Sequence, residues 1–435
     1  VIVKQDPVFV RRRRVAAAGL AATLGLGAVG VSHLFGGPET AAPTAHTVHT
    51  AGSTATSLHA QPVADRSPRP TATNAVAKPT TPTPSPAATQ GKPGPSADTR
   101  LVRILRLTGD LSSKSVVASG HGQVFAQNMM YQHTMAVFGA DGAHLATIPD
   151  KVDLAAYGVS GHPGTSKGAP VEAAFSPDGR TAWVSNYSMY GKDFLPEGRD
   201  ACTGPAGASR SFLYAVDTTT YAVRSVVQVG TVPKYVAVTP DGKQVLVTNW
   251  CSMDLTVVDA ATTKVVATIP VGGLHPRGIV VSPDSRTAYV AVMGSDKVVS
   301  VDLKTKDVRV FAHTGQGPRH IVMSPDARLL YVTNNDSGTV TEVDRATGRV
   351  LRTVKVGAQP RSMAISSDGG ALYVVNYASS TMMKIRASDL KILQTVPTDS
   401  LPIGITYEPT RKAVWVSAYS GSITVFDDSR LAPTT

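Results

Sequence analysis

The residues best placed to do chemistry are five cations at equivalent positions of a recurring segment. Lys234, Arg277, Arg319 and Arg361 each follow a proline that opens a repeat, and Lys114 takes the same place in an earlier, less regular copy. Positive groups gathered in a partly shielded mouth attract anions more strongly than the same charges scattered over a surface. Aromatic residues recur further along the repeat, after an Asn-like position: Tyr187, Trp250, Tyr377 and Tyr419. Rings interleaved with cations suit single-stranded nucleic acid, whose bases stack while its phosphates meet Lys and Arg. Two plainer readings compete. The cations could pair with carboxylates of neighbouring repeats, and the rings could pack between repeats.

Enzyme signals are weaker. Gly164-Thr165-Ser166-Lys167-Gly168 matches a nucleophile-elbow pattern, but that motif needs a strand before it and a helix after it; here it falls in a Gly/Pro-rich connection. Gly25-Leu26-Gly27-Ala28-Val29-Gly30 matches a dinucleotide fingerprint inside an apolar segment, without the strand and helix it requires. His162, Glu172, His275 and His320 could lie near a channel mouth, yet their spacing names no metal geometry. No catalytic residue, metal ligand or cofactor is assigned. The chain has two cysteines, Cys202 and Cys251, which excludes a cysteine-rich metal framework and leaves one disulfide that an oxidising compartment would permit.

The elements that must position these residues follow from the period. Pro233, Pro276, Pro318, Pro360 and Pro402 are separated by 43, 42, 42 and 42 residues. In the copy from Pro318, four short β-branched runs are bounded by turn residues: 321–323, 329–333, 339–343 and 350–356, with Ser324-Pro325-Asp326-Ala327 and Asp344-Arg345-Ala346-Thr347-Gly348 between. Four strands in about 42 residues is the length of one propeller blade. Asp178, Asp241, Asp284, Asp326 and Asp368 fall in the turns after the first strand, and Asp217, Asp259, Asp302, Asp344 and Asp427 close the third. Short side chains that bond their own backbone explain both sets.

Tyr331-Val332-Thr333-Asn334 spells the Tyr-Val-Thr-Asn signature outright, with close variants at Tyr373-Val374-Val375-Asn376 and Trp183-Val184-Ser185-Asn186. Over roughly residues 100–428 the chain therefore resembles the YVTN-repeat (YncE-like) β-propeller family. The resemblance implies a binding propeller, and a periplasmic member of that family binds DNA. Two irregular copies precede the five regular ones, giving an all-β, seven-bladed propeller. The seventh copy stops short of its outer strand, whereas Leu101–Leu107 is a strand without a blade. The N-terminal strand is thus expected to close the last blade, because closure removes exposed sheet edges. Excess length between Ile148 and Pro170, and between Asn186 and Phe212, puts two insertions on the face that carries the Pro-cation steps. Cys202 lies in the second insertion and Cys251 in a loop of the adjacent blade, so the two are expected to pair.

The net charge of +11 divides into +5 for residues 1–99 and +6 for the rest, so the propeller is only mildly basic. A basic stretch, residues 1–14 with Arg11–Arg14, precedes the uncharged segment 15–35, which is long enough for one transmembrane helix with its arginines kept cytoplasmic. A cleaved signal segment shares those features, and the protein would then be secreted. Residues 36–99 are Pro, Thr, Ala and Ser with little to bury, a disordered stalk, and 429–435 form a tail. The expectation is a single-pass, extracytoplasmic, non-catalytic binding module. Its ligand would be anionic, single-stranded nucleic acid or an acidic envelope polymer. A lactonase-like hydrolase or lyase at the channel mouth and a protein-protein scaffold are the alternatives.

Overall fold

The computed structural model describes residues 95–196, 202 and 207–432. The expected membrane segment and all but the last residues of the stalk lie outside that range. No helix among the described residues is long and apolar enough to cross a membrane.

Seven antiparallel sheets form the seven blades, each running from an innermost strand A to an outermost strand D. In blade 5 the strands are Pro318–Met323, Leu329–Asn334, Thr339–Asp344 and Val350–Lys355. The repeat proline begins strand A rather than preceding it. Strand B alternates with a period of two, and both of its faces are buried: Leu330 and Val332 pack against blade 4, while Tyr331 packs against blade 6. That is why these strands read as nearly continuous apolar runs. Seven buried clusters each span one interface between neighbouring blades. The one joining Trp415 and Ile423 of blade 7 to Val116 and Val124 of blade 1 completes the circle.

Closure occurs as the sequence implies. Thr99–Leu107 pairs antiparallel with Ser422–Leu431 and supplies the outer strand of blade 7. The folded region starts earlier than composition suggests, because Ser96–Asp98 form a 3-10 turn. The Ser96 amide and hydroxyl donate to Asp368 at 2.8 and 2.5 Å. At the other end the last strand runs to Leu431, into the expected tail.

Blade 2 departs most from the repeat. Its strands A and B, Thr165–Phe175 and Thr181–Tyr190, are lengthened on the insertion side, and Lys151–Asp153 adds a fifth strand against Thr165–Lys167. Two expectations change as a result. Gly164–Gly168 is not a loop: Thr165–Gly168 belong to strand A and Ser166 is buried, so no elbow exists. Tyr187 lies in the prolonged strand B rather than in a loop. The turn aspartates behave as their sequence context implies: Ser324 donates to Asp326 at 2.6 Å, and the Thr347 amide donates to Asp344 at 2.8 Å.

Candidate anion site at the channel mouth

Each Pro-cation step rests on the same backbone device. The residue before the repeat proline is left-handed in five blades: Val232 (φ 53°), His275 (61°), Gly317 (65°), Gln359 (54°) and Leu401 (59°). Only one of these is glycine, and a β-branched residue such as Val232 in that region is strained. The strain turns the carbonyl of that residue toward the loop after strand B. There it accepts the amide N–H of Trp250, Met293, Asn335, Tyr377 or Tyr419 at 2.8 to 3.1 Å. In each of these five blades that hydrogen bond holds the top-loop residue against the opening of strand A, which carries a cation in four of them and Ile403 in blade 7.

The loops are further held by the last residue of strand B. Asn334 is fully buried and donates to the Thr339 and Thr341 hydroxyls, both at 3.0 Å. Asn249 does the same for Asp254 and Thr256 at 2.6 and 2.8 Å. The preceding threonine ties neighbouring strands A together, as Thr248 donates to the Arg277 carbonyl at 2.6 Å.

The structure brings the sequence-nominated cations and rings to one mouth. The Lys234 ammonium sits 3.8 Å from the centre of the Tyr187 ring and 5.4 Å from that of Trp250. The Arg277 guanidinium lies 4.9 Å from Trp250, and that of Arg361 lies 4.2 Å from Tyr377. Tyr419 stands edge-on to Tyr377 at 5.9 Å, and His275 stacks on Trp250 at 4.2 Å. Such contacts contribute up to about 2 kcal/mol each when desolvated. Cys202 and Cys251 form the expected disulfide, tying the blade 2 insertion to the residue after Trp250. His162 is apart from this group, stacked on Phe194 within the insertions.

Carboxylate pairing, the plainer reading of the cations, holds for Lys114, which meets Glu172 at 3.7 Å. Arg277 and Arg319 are buried, Arg361 is half-buried, and none of the three has a carboxylate at ion-pair distance among the described residues. Arg319 Nε donates to the Arg361 carbonyl at 3.1 Å, and Arg361 donates to the Gln359 side chain at 3.1 Å. Arg277 Nε, Arg319 Nη1 and Arg361 Nε are buried with no hydrogen-bond partner. Burial lowers the pKa of all three, and for Arg319 the nearby Arg277 and Arg361 lower it further. A guanidinium nevertheless keeps its proton in the physiological range.

Directly beyond the cations lies a second ring that the sequence reading did not assemble. The residue after each cation position is Ser115, Glu172, Tyr235, Gly278, His320, Ser362 or Gly404. All except Gly278 line a cavity of about 280 Å³ inside the channel. The two glycines let the inner strands crowd: a Cβ on Gly278 would stand 2.8 Å from His320 Cα, and one on Gly404 would stand 2.8 Å from Ser115 Cα. The repeat position itself was the available signal. Burial and the neighbouring cations hold His320 down to about 3, so it is neutral. Its Nδ1 accepts the Met363 amide at 3.2 Å, which leaves the proton on Nε2. Burial raises Glu172 and brings Lys114 down to about 7, each opposed by the other's charge.

Comparison with known proteins agrees on architecture. Residues 206–350 match a family model described as lactonase, 7-bladed beta-propeller, and residues 319–431 match one described as cytochrome D1 heme domain. No curated protein sequence matches the chain. Among solved structures, a chain of Kuenenia stuttgartiensis hydrazine synthase is similar at a TM-score of 0.57 and 19% identity, covering 73% of this chain and 96% of that one. With seven sheets closed by the N-terminal strand, these likenesses identify the fold as a seven-bladed β-propeller.

Proposed function

We propose that this propeller is a binding module that takes the anionic end of a ligand into its channel mouth. We further propose that it is a propeller of the YVTN kind, carried outside the cytoplasm on the apolar segment 15–35. The observation that carries the binding reading is the set of arginines 277, 319 and 361, gathered with no carboxylate at ion-pair distance among the described residues. Desolvating an unpaired charge costs several kcal/mol, and mutual repulsion adds to that cost. The fold does not require it, because blades 2 and 7 place Val171 and Ile403 at the same position. A ligand anion would supply the missing counter-charge, while Tyr187, Trp250, Tyr377 and Tyr419 offer ring faces and edges to its remainder.

The cations are set into the mouth rather than displayed on the face. That favours a chain end or a single strand over a duplex or an acidic envelope polymer lying flat. Titrating Trp250 fluorescence with a short oligothymidylate tests the reading. If about five phosphates are neutralised, affinity should fall with salt at a log-log slope of roughly −3.5. Arg277→Gln combined with Arg361→Gln should weaken binding at least about tenfold, as loss of charge-assisted bonds does. Equal binding by the double variant would refute the reading.

A hydrolase is the second reading, favoured by Glu172 and neutral His320 in the cavity and by the match to the lactonase model. Glu172→Gln should then abolish turnover in a lactone panel, and a wild-type protein inactive on the panel removes this reading. The heme-domain match raises the question of a haem. Residues 319–431 contain one histidine, His320, whose Nδ1 is committed to Met363 in the channel wall. The surrounding 280 Å³ is below the roughly 300–1,000 Å³ of pockets for drug-sized ligands. A haem with His320 as its axial ligand does not fit.

A further inference from the structure

Lys114 differs from the other mouth cations in its surroundings. Its side chain is 4% exposed, its ammonium lies 3.7 Å from Glu172 Oε2, and it sits 5.4 Å from the centre of the Tyr235 ring. Glu172 and Tyr235 both line the 280 Å³ cavity, together with Ser115, His320 and Ser362. Burial brings the Lys114 pKa down to about 7, with the charge of Glu172 opposing the fall and Arg277, Arg319 and Arg361, close enough to act electrostatically, adding to it. A lysine that is desolvated and placed beside other cations is an activated amine rather than a fixed charge. Arginine would serve better as a fixed charge, and three blades use it.

We propose that Lys114 is an imine-forming amine for a small 2-oxo acid whose carboxylate is held by the mouth arginines. This rests on the anion-binding reading and adds a covalent step to it. The neutral Nζ attacks the ketone carbon and forms a C–N bond while the carbonyl oxygen takes up a proton. Nitrogen then loses a proton, the carbinolamine hydroxyl leaves as water, and a protonated C=N bond remains. Glu172 is the group placed to carry protons between nitrogen and oxygen. No oxidant or reductant enters, and hydrolysis restores the amine. The aromatic rings beside the mouth cations favour a 2-oxo acid with an aromatic substituent.

The test uses the whole purified protein, phenylpyruvate and cyanoborohydride, which reduces the imine to a stable secondary amine. Intact mass and peptide mapping should show one adduct per chain, on Lys114, and excess phenyllactate, which has no carbonyl, should protect against it. Lys114→Arg should give no adduct while keeping the wild-type cooperative thermal transition. Arg319→Gln should lower the adduct rate at limiting phenylpyruvate by about tenfold or more, the loss expected for a charge-assisted carboxylate contact. Adducts spread over surface lysines, or unchanged in Lys114→Arg, would overturn the proposal. Phenyllactate binding without an adduct overturns the imine alone and spares the mouth. Failure to bind phenyllactate, phenylpyruvate and oligothymidylate alike overturns the anion reading with it.

Discussion

Lys384 and Arg319 are both buried cations, and their surroundings are opposite in kind. Lys384 Nζ donates to Asp428 at 2.5 Å and to the carbonyl and hydroxyl of Thr99 at 2.7 and 2.8 Å. The Tyr373 hydroxyl donates to the other oxygen of Asp428, and the Thr99 hydroxyl adds a bond at 3.0 Å. Both charged side chains are 0% exposed, and this knot joins blade 6, blade 7 and the N-terminal strand. Arg319 has two other arginines acting on it, one carbonyl at Nε and an orphaned Nη1. Burial depresses both pKa values, but at Lys384 the pull of Asp428 opposes it. A buried charge whose bonding capacity is filled by the chain is architecture. One whose capacity is left open is what the proposed ligand would fill.

The largest effect should come from the filled site. Removing residues 95–107 strips blade 7 of its outer strand and Lys384 of its Thr99 contacts, exposing a sheet edge. The propeller should lose its cooperative thermal transition. Within the intact chain, Lys384→Ala should cost about 3–5 kcal/mol, because it leaves Asp428 buried and unpaired. Lys384→Met with Asp428→Leu should recover much of that loss, since replacing both partners removes both desolvation penalties. Denaturant midpoints decide the matter. A mild loss in Lys384→Ala would mean that water already reaches the closure, and the contrast with the mouth would fail.

The open site should respond with the opposite sign. Arg319→Met removes a desolvated, repelled charge at the cost of one bond to the Arg361 carbonyl. Its melting temperature in dilute, weakly binding buffer should equal or exceed that of the wild type, as happens when buried ions are replaced by apolar groups. Adding millimolar triphosphate should raise the wild-type melting temperature by mass action and raise that of the variant less. A loss of stability like that of Lys384→Ala would show Arg319 to be a structural strut.

The two sites also differ in how far they could be read from sequence. The mouth was legible because its cations sit at one repeat position, and a 42-residue period converts distance along the chain into proximity around a ring. The second ring sits one residue further along and was as accessible, but Ser115, Tyr235 and Ser362 look unremarkable until circular stacking aligns them. That no described carboxylate stands at ion-pair distance from Arg277 or Arg319 was not legible, since nearest neighbours across blades depend on side-chain direction. The closure knot was hidden for another reason: Thr99 lies 285 residues from Lys384, and neither belongs to the shared pattern. The strand pairing it secures was legible, because a blade missing its outer strand and a strand missing its blade imply each other. The lengthened strands of blade 2 were obscured by glycine and proline, which mark turns in most contexts and here sit within paired strands.

Asp150, a buried acid between blades 1 and 2, supplies an intermediate case and the smallest expected effect. It accepts the Gly168 amide at 2.9 Å, and burial pushes its carboxyl from 3.8 to about 7. The folded protein therefore holds a proton between about pH 4 and pH 7 that the unfolded chain has released. Its contribution to stability is full below the unfolded value and is lost as pH rises through the folded one. The whole shift would amount to at most ~4 kcal/mol, and water entering on ionisation should reduce it to ~1 kcal/mol. Asp150→Asn keeps an oxygen for the Gly168 amide and cannot ionise, so the variant should match the wild type at pH 4.5 and exceed it at pH 8. Urea midpoints at the two pH values measure the difference. Parallel midpoints would mean that Asp150 is ionised throughout, with its charge met inside the fold as at Lys384 rather than left open as at Arg319.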